Sequence, residues 1–225
     1  MEDPLRLEFN EWARDGRGES MERGHRPMGE QAIDLMRVPE TARVLDVGCG
    51  SGWATRLLAE KAKRGQVVGI DISDEMIRVA RDASRDFLTV EFQVASAEQL
   101  PFADADFTHS FSMESLYYYN DVSQALKEIH RVLAPGGLFV TVVDLYQENA
   151  ASHQWIEKLQ VPVHLLSIPE YRSLFAAAGF VDVVDQRILD PAPVVAEYTG
   201  TSFRSHQDYL EYRAAGSLML SGRKK

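Results

Sequence analysis

The stretch Val44-Leu45-Asp46-Val47-Gly48-Cys49-Gly50-Ser51-Gly52 constrains this chain more than any other. An apolar, β-favouring run, Arg43 to Val47, ends in three closely spaced glycines. Directly after them, Gly52 to Ala62 sets Trp53, Ala54, Leu57 and Leu58 at helical spacing. A strand turning through glycines into a helix is the opening unit of a doubly wound α/β sheet. Glycines let the backbone turn sharply and let a ligand approach with no Cβ in the way. The spacing is G-x-G-x-G, whereas the dinucleotide pattern G-x-G-x-x-G needs glycine where Trp53 stands. Asp46 lies just before the loop, where a carboxylate repels a pyrophosphate and attracts an ammonium.

Gln66 to Ile70 reads as the second strand and runs into Asp71, 19 positions after Gly52. An acid there is suited to both hydroxyls of a ribose. Loop and acid together ask for an adenosine-like sugar with a zwitterionic tail. Ser73 is an N-cap candidate for a helix carrying Met76, Ile77 and Ala80 on one face. Leu88 to Val94 and Asp106 to Ser112 read as further strands. A helix carrying Val122, Ala125, Leu126, Ile129, Val132 and Leu133 is expected to stop at Pro135-Gly136-Gly137, before a fifth strand, Leu138 to Val143. Ser167 and Glu170 form a capping-box pattern ahead of Tyr171, Leu174, Phe175 and Ala178. Val181 to Ile188 and Gly216 to Leu220 complete the strands. The alternation predicts a mostly parallel sheet with helices on both faces.

Composition limits the function classes. The chain has 225 residues with 24 Lys+Arg against 34 Asp+Glu, a net charge of −10. A pI near 5.1 argues against sequence-independent nucleic-acid binding, which wants a basic field. An apolar fraction of 45% with 26% charged residues suits a folded domain. One cysteine excludes an intramolecular disulfide and a Cys-cluster metal site. No run approaches the roughly 20 apolar residues of a membrane span, and Met1-Glu2-Asp3-Pro4 lacks a signal-peptide layout. The expectation is one cytoplasmic domain over 1–225: an N-terminal arm, 1–40, with one helix from Pro27 to Met36; a ligand-binding core, 41–144; and insertions, 145–168 and 190–212, near the substrate side.

The loop from Asp46 to Gly52 and the strand end at Asp71 resemble the class I S-adenosylmethionine-dependent methyltransferases. The match is to the small-molecule group that includes the ubiquinone/menaquinone-biosynthesis (type 11) enzymes. It continues at Ala95 to Phe102, at Leu126 to Gly137 and, more loosely, at Tyr171 to Phe180. The resemblance implies a Rossmann-like fold with an antiparallel last strand and S-adenosyl-L-methionine as cofactor. It implies that Gly48, Cys49, Gly50 and Gly52 lie against the methionyl part and Asp46 near its ammonium. Asp71 would take the ribose hydroxyls, and Ile72 and Met76 would pack at the adenine. Ser96, where relatives often carry Asp, would meet the adenine amino group, with Ala97 and Glu98 beside it, and Ser112 and Met113 would lie at the methionyl end.

The residues after the fourth strand, Ser112 to Asn120, lack the Asn/Asp-Pro-Pro-Tyr motif of enzymes that methylate DNA bases or protein amides. That points to a small-molecule acceptor. Glu114, His25 and Tyr117 are the candidate catalytic residues, with Asp144, His153 and His164 as further candidate bases. No pair shows metal-ligand spacing on a shared face, so no metal is expected. Trp12 to Arg23 shows no helical stripe and reads either as a solvated arm or as a lid with Gly16, Gly18 and Gly24 as joints. A catalytically silent interaction protein, a protein or nucleic-acid methyltransferase and a nicotinamide oxidoreductase are the competing readings. Monomer and homodimer both remain open.

Overall fold

Residues 3–225 are described by a computed structural model. Seven strands form one sheet: β1 (Arg43–Val47), β2 (Gln66–Asp71), β3 (Val90–Val94), β4 (Phe107–Met113), β5 (Leu133–Val143), β6 (Phe180–Ile188) and β7 (Ser217–Lys224). Their order is β3-β2-β1-β4-β5-β7-β6. The first five pair in parallel, and β7 runs antiparallel between β5 and β6. The order in which strands are added reverses between β1 and β4, the crevice where such folds bind ligands. β1 and β5 are apolar and buried on both faces, as parallel strands covered by helices must be.

Seven helices flank the sheet: α1 (Pro4–Arg14), α2 (Arg17–Met36), α3 (Trp53–Lys61), α4 (Asp74–Ala83), α5 (Val122–Val132), α6 (Ile168–Ala177) and α7 (His206–Ala215). Ser73 caps α4 through the Met76 N–H, and Ser167 with Glu170 forms the expected capping box on α6. On α5 the stripe Val122, Ala125, Leu126, Ile129 and Val132 is buried against the sheet. That helix ends at Val132, earlier than the glycines suggested. Pro135, Gly136 and Gly137 lie within β5, whose pairing with β4 shifts register there.

The N-terminal arm departs most from expectation. It carries two helices, and α2 starts ten residues before Pro27. Pro4 in the first turn of α1, capped by Asp3, starts a helix whose Leu5, Phe9 and Trp12 share one face. Leu5 and Trp12 are buried in the main core. On α2, Met28, Ala32, Ile33 and Met36 join a second core with Trp53, Ala54 and Leu58. Gly18 and Gly29 serve close packing: a Cβ at Gly18 would meet Ser51 at 3.0 Å, and one at Gly29 would meet the Trp53 ring at 2.5 Å. Only Gly16, at φ 69°, makes a joint, between α1 and α2. The segment 145–168 carries a 3₁₀ stretch, Ala150–Lys158, and runs into α6 at its cap, Ser167.

Asn10 docks the arm. Its amide donates to Asp74 at 2.9 Å, and its carbonyl oxygen accepts from the Ser73 hydroxyl at 2.6 Å and the Glu75 N–H at 3.3 Å. Asn10→Ala strands the cap of α4 and removes these contacts, at about 1–3 kcal/mol for the buried polar group left unpaired. Hydrogen exchange is expected to speed up over residues 4–14 while the strands keep their protection. Unchanged exchange in α1 would show that apolar packing alone holds the arm.

Candidate functional site

At the carboxyl ends of β1, β2 and β4 the structure opens a cavity. Its floor is the glycine loop. Gly48 and Cys49 both donate their N–H to Ile70 O, at 2.9 and 2.8 Å, and Gly50 donates to Asp71 Oδ2 at 2.9 Å. Gly48 and Gly50 hold φ of 74° and 51°, conformations that side chains disfavour. A Cβ at Gly50 would meet no protein atom within 4 Å, whereas one at Gly48 would meet the Ser115 side chain at 2.4 Å. Gly50 therefore presents bare backbone to the cavity, and Gly48 is kept small by Ser115.

Asp71 accepts two backbone N–H groups, from Gly50 and, through Oδ1, from Ser73 at 2.9 Å. Burial pushes its pKa up, and these N–H groups pull it back. Ile72, Met76, Ser96, Ala97, Glu98, Cys49 and Met113 also line the cavity. Burial raises the Cys49 thiol well above its usual range, which fits a small packing residue and not a nucleophile. Asp71, Glu98 and Glu114 bring three carboxylates to the lining, and no Lys or Arg is among them. A cavity so charged suits a cationic ligand.

Three residues expected at the cofactor lie behind this lining. Asp46 is 1% exposed, and its Oδ2 accepts from the Thr55 hydroxyl at 2.6 Å. Thr55, on the first turn of α3, claims the carboxylate for the strand-to-helix turn. Gly52 faces Phe92 and Ala80, so it allows helix and strand to approach. Ser112 is buried and bonded to Ser115 Oγ at 2.7 Å.

Of the candidate catalytic residues, Glu114 and His25 line the cavity and Tyr117 does not. The Tyr117 hydroxyl donates to Glu114 Oε2 at 2.8 Å, so it positions Glu114. Glu114 Oε1 accepts the Asp144 N–H at 2.5 Å. Glu114 sits at φ 53°, a strained conformation for a residue with a side chain. Burial and the neighbouring Asp144 push its carboxyl pKa well up. His25 Nε2 lies 3.7 Å from Asp144 Oδ2, and burial lowers its pKa. His153 bonds Tyr146 O and His164 bonds Tyr119 O, both away from the cavity. Residues 145–168 and 190–212 contribute nothing to the lining, and from the first of these His164 braces the tyrosine segment, its backbone N–H donating to Tyr117 O at 2.9 Å.

Sequence reasoning missed Leu5, Phe9 and Met21 from the arm and Asn120 after β4 as lining residues. The signal for the arm was present: Asp3-Pro4 as a helix start, and Leu5, Phe9 and Trp12 at helical spacing. Phe9 meets Trp12 and Tyr118 edge to face, with centroids 5.2 and 5.0 Å apart.

Residues 45–141 match the methyltransferase domain family. A putative methyltransferase solved in complex with the Trm112 methyltransferase activator of Haloferax volcanii is 35% identical. The likeness covers 96% of this chain and 97% of that one, with a TM-score of 0.90. The chain belongs to the class I S-adenosylmethionine-dependent methyltransferases. It is also 32% identical to an O-methyltransferase of Pyrenophora dematioidea, over 75% of this chain and 66% of that one. With a 2-phytyl-1,4-naphtoquinone methyltransferase of Thermosynechococcus vestitus it shares 36% over 58% and 59%. The chain spans between about half and two thirds of the length of the curated relatives it matches first. The cofactor of this family is S-adenosylmethionine, and the bare Gly50 backbone and the lysine- and arginine-free, acidic lining fit its sulfonium and ammonium.

Burial lifts the Asp46 carboxyl to about 7, against the pull of Thr55. A carboxyl whose folded pKa exceeds its unfolded value destabilises the fold progressively as pH rises from about 4 through 7. Asp46→Asn removes that group. Urea denaturation without cofactor is expected to show the variant gaining stability relative to the parent between pH 5 and pH 8. A constant difference across that range would mean that Asp46 titrates normally.

Proposed function

We propose that this methyltransferase transfers the methyl group to a hydroxyl oxygen of a small, planar, largely apolar acceptor of the phenol or hydroquinone class. One observation carries the reading. A single cavity joins the glycine loop and Asp71 to aromatic walls from Phe9, Trp12 and Tyr118, and the buried Glu114 and His25 open onto it. The O-methyltransferase relative points the same way for the oxygen, and the naphthoquinone methyltransferase relative for a flat, apolar ring.

In this reading the lone pairs that Asp71 keeps free bind the ribose hydroxyls. Ile72 and Met76 pack on the adenine, and Ser96 and Ala97 meet its polar edge. Gly50 and Met113 lie along the methionyl part, and Glu98 contributes negative charge beside the cationic ligand. The bound cofactor supplies a methyl already activated on sulfur. Charge is dispersed as that methyl moves, so alignment can contribute up to roughly 7–11 kcal/mol. Phe9, Trp12 and Tyr118 hold a flat ring and keep water away. A hydroxyl must shed its proton to attack well, and the cluster of Glu114 and His25 takes it. Burial makes Glu114 a stronger base than an ordinary carboxylate, and it leaves His25 neutral and able to accept. The arm, α1 and α2, is the cover over the acceptor, since Phe9, Trp12, Met21 and His25 belong to it.

A second reading concerns a partner. The putative methyltransferase that matches this chain end to end was solved with the Trm112 activator. We infer that this chain also works beside a small activator protein. Co-expression with the Haloferax volcanii Trm112 followed by gel filtration tests it: co-elution supports the inference, and separate peaks count against it.

Two variants test the site. Asp71→Ala is expected to weaken S-adenosylhomocysteine binding at least tenfold by calorimetry, because a hydrogen bond to a charged group contributes about 1.5–3 kcal/mol. Unchanged affinity in the folded variant would move the ribose elsewhere. Glu114→Gln is expected to lower turnover about 10²-fold or more on a panel of hydroquinones and phenols, with S-adenosylhomocysteine affinity kept. A parent enzyme that methylates added amines and none of these hydroxyl compounds would overturn the hydroxyl assignment.

A further inference from the structure

His25, Glu114 and Asp144 come from three separate parts of the chain, α2, the end of β4 and the end of β5. Each offers one ligand atom, and these atoms all lie within 4.8 Å of one another. Asp144 is 0% exposed. Its Oδ2 is held by the Tyr212 hydroxyl at 2.7 Å, while its Oδ1 is buried without a partner. An orphan carboxylate oxygen beside a second buried carboxylate is costly unless a positive charge completes it.

The surroundings supply no such charge. No Lys or Arg pairs with Glu114 or Asp144 among the described residues. A proton shared between the two carboxylates is not built in either. Both Glu114 oxygens accept, from the Asp144 N–H and the Tyr117 hydroxyl, and no hydrogen bond joins carboxylate to carboxylate. At 3.7 Å, His25 Nε2 is too far from Asp144 Oδ2 for a hydrogen bond. That separation does fit two atoms bound to one ion. Metal–ligand distances of about 2.0–2.2 Å place two ligands of one ion roughly 3–4.4 Å apart.

We propose that His25, Glu114 and Asp144 form a binding site for one divalent first-row cation, of the Mn²⁺ or Zn²⁺ class. One imidazole nitrogen and two carboxylates are a donor set such ions accept. Burial keeps His25 neutral, the form that ligates. Tyr212 on Asp144 and Tyr117 on Glu114 are the outer partners that fix the ligands' orientation. Glu114 and His25 line the cavity and Asp144 lies behind it, so the ion's open positions face the acceptor. There it would hold a hydroxyl oxygen and lower its pKa, replacing direct proton transfer to Glu114 and His25 when the ion is bound. That role rests on the proposed acceptor, whereas ion binding itself does not.

The test uses the full chain stripped of metal with a chelator and titrated with Mn²⁺, with free ion read by electron paramagnetic resonance. In parallel, Zn²⁺ is followed by calorimetry, and S-adenosylhomocysteine affinity is measured on every sample. One ion per chain is expected. His25→Ala and Asp144→Asn should each weaken it at least tenfold, and Tyr212→Phe by about 10-fold or more, while all three variants bind S-adenosylhomocysteine like the parent. His25→Ala removes a partly exposed ring with no hydrogen bond to a neighbour, so a folded variant is available whatever happens to Asp144→Asn. Retention of neither ion by the parent overturns the proposal, as does retention unaffected by His25→Ala. Loss of S-adenosylhomocysteine binding by the parent would instead overturn the cofactor site.

Discussion

Asp71 ties the molecule together. One carboxylate at the end of β2 takes the Gly50 N–H on one side and the Ser73 N–H on the other. The first bond fixes the glycine loop against the sheet. The second fixes the residue that caps α4, and the hydroxyl of that same residue grips Asn10 of α1. Loop, helix start and arm thus meet at a single half-buried acid. Its desolvation is offset in part by backbone donors in place of a cation.

The acids around the crevice divide by their partners. Asp46 is consumed by Thr55, Glu98 braces α5 by accepting the Asp121 N–H, and Glu114 is held by Tyr117 and a backbone N–H. None of the three meets a guanidinium or an ammonium, although the exposed surface is laced with such pairs, Arg26 with Glu22 and Glu30 among them. Positive charge is spent outside and withheld at the crevice. A site arranged this way has its electrostatics completed by what it binds.

Much of this was legible in the chain, for physical reasons that can be named. The strands could be read because parallel strands covered on both faces are continuously apolar, as in Leu138 to Val143. The loop could be read because the turn dictates glycine, and Asp71 because it closes β2 where the loop's N–H needs an acceptor. Boundaries slipped where the backbone broke a local rule: Pro135 to Gly137 look like a helix stop yet enter β5. The arm was misjudged because charges outnumber the apolar stripe of Leu5, Phe9 and Trp12. Asp46 was placed at the ligand because nothing local shows that Thr55, one turn into the next helix, reaches it first. The meeting of His25 with Glu114 and Asp144 is purely tertiary, set by where α2 crosses the sheet.

The placement of β7 bears on how the chain is made. Farthest along the sequence, it sits between β5 and β6 and pairs with both. As the protein leaves the ribosome, N-terminal segments emerge first. The strands from β1 to β5 can zip in parallel while Phe180 to Ile188 still has no neighbour to bond. Only when Ser217 to Lys224 appear can both open edges close. Tyr212, the anchor of Asp144, arrives with the helix just before them. The glycine-loop half of the crevice can therefore form during synthesis, and the side held by Glu114 and Asp144 is completed last.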